Sequence, residues 1–370
     1  MIYAPKPPKG ELKRKNMNLD AVILNGLVFD KYSLKNYYHT NNSGESWQHA
    51  IYDFLKSWFD DSETITLHTS GSTGQPKEIQ LTKEAMRNSA RITNDFFGLN
   101  NTSTALLCLP ANYIAGKMML VRAVEGKFNL LTVEPKANPF ENLSQPIDFT
   151  AITPYQLLHS FEEIKKLRIQ KIIVGGAKIN SELEAVVQQF STAIYETYGM
   201  TETCSHIALR AINGHTKSDY FKILSGVSIR KNENDCLCIK APHLLPDEIV
   251  TNDIVELINN EQFQLKGRFD NIINTGGVKL NPERIEQKLE TLISVPYFIS
   301  SKPDSTLGNK VVLIIESTPF TVEIEVELMA IFNITLEKYE RPKEIHYIPQ
   351  FCYSATNKLL KAETLQMLKI

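Results

Sequence analysis

The residues best equipped for chemistry are Thr69-Ser70-Gly71-Ser72-Thr73-Gly74-Gln75-Pro76-Lys77. Glycines let backbone approach an anion, N–H groups and hydroxyls donate to its oxygens, and a lysine balances its charge. The stretch reads as a phosphate cradle, against the plainer alternative of a solvated Ser/Thr/Gly linker. It is not a Walker loop, because Pro76 precedes Lys77 and Glu78 follows it, where that pattern needs Gly-Lys-[Ser/Thr]. A second group follows. Gly175-Gly176-Ala177 offers bare backbone on which a flat base can lie, and Tyr198-Gly199-Met200-Thr201-Glu202-Thr203 adds an aromatic face, a hydroxyl and a carboxylate. Glu202 is a suitable hard-oxygen ligand for Mg²⁺ bridging phosphates. Asp253, Gly267-Arg268-Phe269-Asp270, the pair Gly276-Gly277 and a late lysine, Lys358, complete the set. Taken singly, each of these has an ordinary reading as a turn, a loop or a surface charge.

The elements that must position these residues alternate along the chain. Glu63–His68 alternates polar and apolar residues as a half-buried strand does, and Thr82 caps a helix over 83–97, giving strand, loop and helix around the cradle. Residues 45–60 read as a helix whose Trp47, Ile51, Phe54, Leu55 and Trp58 form a core stripe. Ala105–Leu109 reads as a buried strand, and Asn112–Lys117 as a turn carrying Tyr113. Lys117 and Arg122 either serve an anionic substrate or are surface charges. Strands are expected at 128–133, 149–153, 171–174 and 193–197, with helices at 154–167 and 181–190. Such alternation predicts a layered α/β domain with a largely parallel sheet and ligands beyond the strands' carboxyl ends. The stretch after Arg268 reads as a short strand, a glycine turn, a second strand and a helix. That helix has Asn281 as N-cap, Pro282 at its first position and Glu283 in its first turn. A further strand at 310–316 and a helix at 322–332 make the C-terminal hundred residues a compact α+β unit.

Bulk composition limits the alternatives. A chain of 370 residues suggests about two domains. With 42% hydrophobic and 22% charged residues it has an ordinary globular make-up, and a net charge of −2 argues against a general binder of nucleic acid or anionic membrane. No apolar run approaches the ~20 residues that span a bilayer. Cys108, Cys204, Cys236, Cys238 and Cys352 are scattered and lack zinc spacing, which reads as reduced thiols and a cytoplasmic protein. Residues 1–16 carry Lys6, Lys9, Lys13, Arg14 and Lys15 around prolines, without the apolar core of a signal peptide. They are expected to be a disordered or mis-started tail, with Met17 as the start.

In order and spacing these motifs resemble those of the adenylate-forming superfamily, which includes acyl-CoA synthetases, luciferases and peptide-synthetase adenylation domains. The resemblance covers the chain from about residue 65 to its end. It implies a large ATP- and acyl-binding domain with a shortened front region over 17–268, and a small mobile C-terminal domain over 269–370. It implies ATP, Mg²⁺ and coenzyme A as ligands. Thr69–Gly74 and Lys77 would hold the β- and γ-phosphates, and Gly175, Gly176 and Ala177 would flank adenine, with Tyr198 and Gly199 beside them. Thr201 would meet the α-phosphate, Glu202 hold magnesium, and Asp253 and Arg268 contact ribose. Asp270 would be the hinge, Gly276 and Gly277 would line the CoA channel, and Lys358 would be catalytic. Asn252 and Asn357 depart from the glycines of the family motifs. The compact layout is most similar to the short o-succinylbenzoate–CoA ligases of menaquinone biosynthesis, whose acid carries a second carboxylate. Tyr113, Lys117, Ser205 and His206 are the acyl-pocket candidates on that reading. Competing expectations are another AMP-forming ligase with a CoA or carrier-protein acceptor, and a non-catalytic nucleotide-binding relative.

Overall fold

The computed structural model describes residues 20–40, 45–69, 77–354 and 359–368. The basic tail over 1–16 lies outside them. A large N-terminal, sheet-rich domain and a smaller C-terminal domain make up an α/β fold. The large sheet has 13 strands. Across it they run Ser228–Lys231, Cys236–Lys240, Ile249–Leu257, Gln262–Arg268, Phe221–Ile223, His206–Ala211 and Ala193–Gly199. The order continues with Ile169–Val174, Ile147–Ile152, Thr104–Leu107, Asn129–Thr132, Ala21–Leu24 and Leu27–Asp30. From Ala21–Leu24 to Ala193–Gly199 neighbours are parallel, while the strands beyond Ala193–Gly199 and the edge strand Leu27–Asp30 are antiparallel. The expected largely parallel sheet is therefore a mixed one. Its parallel part contains the intervening helices, and residues 206–268 form no α-helix, so adjacent strands there connect by turns and must reverse direction.

Local chemistry accounts for the elements that carry the site. Thr82 accepts from the Ala85 N–H and caps Lys83–Phe97, as expected, but the stretch before it is a strand. Thr64–Thr69 and Lys77–Thr82 pair antiparallel, Thr64 opposite Thr82 and Thr69 opposite Lys77. The cradle thus joins two strands of a ribbon instead of a strand and a helix. The Glu78-Ile79-Gln80-Leu81 alternation, with Leu81 buried and Glu78 and Gln80 exposed, is the reason. The expected turn at Asn112–Lys117 is the start of a helix, Ile114–Gly126, with Tyr113 at its N-cap. That helix is buried from Met118 through Val124, so it has no polar face from which a helical period could be read. The helix expected over 154–167 divides at Ser160 into Pro154–His159 and Phe161–Lys166, and Ser181–Val186 gives way to a 3₁₀ turn before Phe190.

The hydrophobic clusters respect the two domains. Three clusters draw on residues between Val22 and Phe263, and two draw on residues between Ile273 and Leu368. Trp47, Ile51, Phe54, Leu55 and Trp58 join the first of these, as the stripe predicted. In the small domain Tyr297–Asp304, Gly308–Glu316 and Glu344–Ile348 form one sheet, packed against Pro282–Leu289 and Val322–Thr335. Asn281 accepts from the Arg284 N–H and caps Pro282–Leu289, again as expected. Its own amide donates to the Lys266 carbonyl across the junction (3.2 Å), and the Ser181 N–H donates to Glu290 (2.7 Å). Among the described residues no helix is long and apolar enough to cross a membrane. All five cysteines are free.

Candidate functional site

The parallel strands bring their carboxyl ends to one edge, which collects Gly175, Tyr198 and the turn that follows Gly199. Gly175 needs its missing side chain, since a Cβ there would collide with Thr197 Oγ1. The loop beyond it is fixed from below. The Ile179 N–H donates to Glu196 (3.1 Å), and Glu196 is itself held by Arg210 (2.9 Å from Nε). Glu196 had no part in the sequence reading, and its position becomes legible only once strand Ala193–Gly199 lies beside Ile169–Val174.

Tyr198 and Gly199 are the last residues of their strand and not the first of a loop. Gly199 sits where a Cβ would strike the Ser205 carbonyl, so the chain folds back on itself at once and enters His206–Ala211 antiparallel. Thr203, fully buried, ties this turn: its Oγ1 accepts from the Met200 N–H (3.0 Å) and lies 2.8 Å from the Ser205 carbonyl. Thr201 and Glu202 stand half-buried at its tip. Glu202 has no hydrogen bond or ion pair with any other described residue.

The Tyr198 ring packs on Phe221 and Phe263 (5.9 and 5.1 Å between centroids), and its hydroxyl donates to Asp253 Oδ2 at 2.6 Å. Burial first, and then the Asp253 charge, push that phenol well above its usual range. It stays a donor. Asp253 lies directly across the ladder from Arg268, whose Nη1 donates to Asp253 Oδ1 (3.1 Å). The same guanidinium grips Asp270 with Nε and Nη2 (2.9 and 2.7 Å), which raises the arginine's pKa and lowers the aspartate's. Asn252 stands 3.5 Å from Asp270 Oδ2. Four of the motif residues are thus joined in one network reaching from the parallel edge to the domain junction.

The acyl-pocket candidates separate into two groups. Lys117 donates to the carbonyls of Ala111 (2.6 Å) and Asn112 (2.9 Å) and covers the Phe54 ring, and burial pushes its pKa down to about 8. It staples its own turn. Tyr113 is part-exposed at the helix start and makes no hydrogen bond with Ser205 or His206. Ser205, with His206 hydrogen-bonded behind it, instead meets Arg122, the residue the sequence left as either substrate-binding or surface charge. Arg122 is not on the surface. It is 1% exposed, its Nη2 donates to Ser205 Oγ (2.9 Å), its Nη1 lies 3.5 Å from Met119 Sδ, and its Nε has no partner among the described residues. No carboxylate pairs with it among the described residues. Burial pushes its pKa down to about 9, so it is still charged at neutral pH. Such a charge is costly to bury without a counterion. His206 also borders a cavity of about 10 Å³ with Ser89 and His243. That is room for about one water molecule, so this cavity is not an acid site.

Thr69 and Lys77 are the paired ends of their strands, and Ser70, Gly71, Ser72, Thr73 and Gly74 between them lie outside the described residues. Lys358 also lies outside them, next to a bridge between Tyr353 and Leu359. Gly276 and Gly277 form the turn between Ile273–Thr275 and Val278–Leu280, with the Gly276 N–H on the Leu307 carbonyl (2.8 Å). They belong to the small domain and, among the described residues, make no hydrogen bond with the Tyr198 network.

The structure is that of an α/β protein with a large and a small domain, whose buried Arg122 has no carboxylate partner among the described residues. Comparison with known proteins gives the class a name. The AMP-binding enzyme family model matches residues 14–233, and the chain belongs to that family. The 2-succinylbenzoate–CoA ligase of Staphylococcus aureus strain MSSA476 is 26% identical over 371 residues, covering 91% of this chain and 74% of the relative. An acyl-CoA synthetase (AMP-forming)/AMP-acid ligase II-like protein from Dyadobacter fermentans DSM 18053 is 36% identical, with 88% and 95% of the two chains covered and a TM-score of 0.57. The o-succinylbenzoate coenzyme A synthetase MenE of Bacillus subtilis, solved with ATP and magnesium, shares the fold at 20% identity and a TM-score of 0.66, covering 81% of this chain and 69% of that one.

Proposed function

We propose that this chain is an AMP-forming acid–CoA ligase acting on 2-succinylbenzoate, with residues 17–268 as the adenylating domain and 269–370 as a domain that rotates at Asp270. In the first half-reaction a carboxylate oxygen attacks the α-phosphorus of ATP, the new P–O bond forms and pyrophosphate leaves. In the second, the thiol of CoA attacks the acyl carbon and AMP leaves. Little proton transfer is needed in the first step, so the work is positioning and charge neutralisation.

The residues fall into roles on that scheme. Thr69 to Gly74 and Lys77 would cradle the leaving phosphates, and the Gly175–Ala177 backbone would flank adenine beside Tyr198 and Gly199. Thr201 would donate to the α-phosphate. Asp253 has spare lone pairs beyond those given to Tyr198 and Arg268, and would accept from the ribose hydroxyls. Mg²⁺, when bound, would neutralise phosphate charge. Glu202 fits it, because its half-buried carboxylate has no other described partner and Mg²⁺ needs only one or two carboxylates besides phosphate and water. Lys358 would bridge carboxylate and phosphate, and Gly276 and Gly277 would line the thiol channel once the small domain turns. The free cysteines suit a cytoplasmic enzyme.

The observation that carries the choice of acid is Arg122. A buried guanidinium without a carboxylate partner favours a ligand that brings one, and 2-succinylbenzoate brings a carboxylate beyond the one being activated. Its named relative in Staphylococcus aureus supports the same choice. Pyrophosphate release on a panel of acids tests the proposal. With ATP and CoA present, 2-succinylbenzoate should give AMP, pyrophosphate and the thioester, and analogues lacking either carboxyl group should react far less well. Bound ATP with no turnover on any acid would support the non-catalytic alternative instead.

A further inference from the structure

A line of buried polar groups continues from Arg122 into the protein. Arg122 Nη2 donates to Ser205 Oγ (2.9 Å), and Ser205 Oγ lies 3.1 Å from His206 Nδ1. His206 Nε2 lies 3.4 Å from Thr93 Oγ1, which donates to the Ser89 carbonyl (3.0 Å). Thr93 and His206 are both buried. One proton order along this line follows from the Thr93–Ser89 bond. With the Thr93 proton on the Ser89 carbonyl, Thr93 Oγ1 accepts from His206. The His206 proton is therefore on Nε2. Burial first, and then the Arg122 charge, hold the ring neutral. Nδ1 is left as a bare acceptor, and it takes the Ser205 proton. Ser205 Oγ then turns only lone pairs toward Arg122.

We propose that His206 and Thr93 are positioning residues for acid recognition: they orient the Ser205 hydroxyl as a neutral acceptor that aims Arg122 without cancelling its charge. This inference rests on the reading that Arg122 receives the second carboxylate. A carboxylate in the place of Ser205 would hold the guanidinium equally well and remove its appeal to a substrate. A serine hydroxyl free to rotate would present its proton to the cation part of the time. The histidine and threonine prevent that. His206 is thereby assigned a function beyond that of a packed core histidine, although it touches no substrate atom.

The test compares kcat/KM for 2-succinylbenzoate with that for its analogue lacking the second carboxyl group, in the full-length enzyme. Wild type should prefer the dicarboxylate, and absence of that preference would overturn the parent reading of Arg122. His206→Gln keeps a group near Nε2 for Thr93 but withdraws the acceptor from Ser205, and Thr93→Val removes the anchor of the tautomer. Each should lower the dicarboxylate preference roughly tenfold, as expected for a misdirected hydrogen bond to a charged group. His206→Asn, whose carboxamide oxygen falls near Nδ1, should restore most of it. A purely structural role would slow both acids alike and leave the preference where it was. The tautomer is read independently on wild type from ¹⁵N-labelled imidazole spectra, which covers any variant that fails to fold. A ring carrying its proton on Nδ1, or a preference unmoved in all three variants, would overturn the inference while leaving the Arg122 reading intact.

Discussion

Lys358→Ala should abolish acyl-adenylate formation and leave thioester formation from supplied acyl-AMP nearly intact. Joining a carboxylate to the α-phosphate brings two anions into contact, and a cation between them acts only while that charge is concentrated. Removing one such preorganised group costs on the order of 10² to 10³ in kcat. The thiol step begins after the P–O bond exists and the small domain has turned, so it does not need this lysine. Its neighbour cannot replace it, because the Lys361 ammonium is held by Glu286 at 2.8 Å and lies over the Phe298 ring. Rapid-quench measurement of each half-reaction checks the expectation. Equal loss in both would contradict the assignment of Lys358 to the first step and the domain rotation that separates the two.

Arg122→Met should move stability and function in opposite directions. The substitution replaces an unpaired buried charge with an apolar side chain of similar length in a helix already buried from Met118 to Val124. Replacing buried ions by apolar groups of similar volume is often neutral or stabilising by about 1–4 kcal/mol. Ser205 keeps His206 Nδ1 as a partner, so no new orphan is created. The urea midpoint should therefore hold or rise. The kcat/KM for 2-succinylbenzoate should fall by roughly a hundredfold or more, since hydrogen bonds to charged groups are worth ~1.5–3 kcal/mol each. A destabilised variant with undiminished preference for the dicarboxylate would show that Arg122 is a structural residue.

Arg122 also shows where sequence reasoning reached its limit. An arginine is almost never fully buried, and helix Ile114–Gly126 gives no amphipathic period to place it, so its burial could not be read from residues 112–126. The pairing of Asp253 with Arg268 depended on a register between strands, which no local pattern encodes. Other features were within reach. Thr82 and Asn281 are side-chain caps with the expected backbone partners. The core stripe of Ser46–Trp58 followed from spacing alone. Asn25-Gly26, between Ala21–Leu24 and Leu27–Asp30, is a two-residue hairpin signal, and both residues take positive φ. It passed unread. The absence of helical periods over 206–268 likewise announced an antiparallel meander that the alternation farther upstream obscured.

The central claim is that the acid is activated by direct attack on the α-phosphate of ATP. It is tested most directly by supplying 2-succinylbenzoate labelled with ¹⁸O in both carboxyl groups, together with ATP and CoA, and analysing the nucleotide product by mass spectrometry. AMP should carry one ¹⁸O per turnover, because the attacking oxygen stays on phosphorus when the thiol displaces AMP. Unlabelled AMP, or ADP with the label in inorganic phosphate, would contradict it.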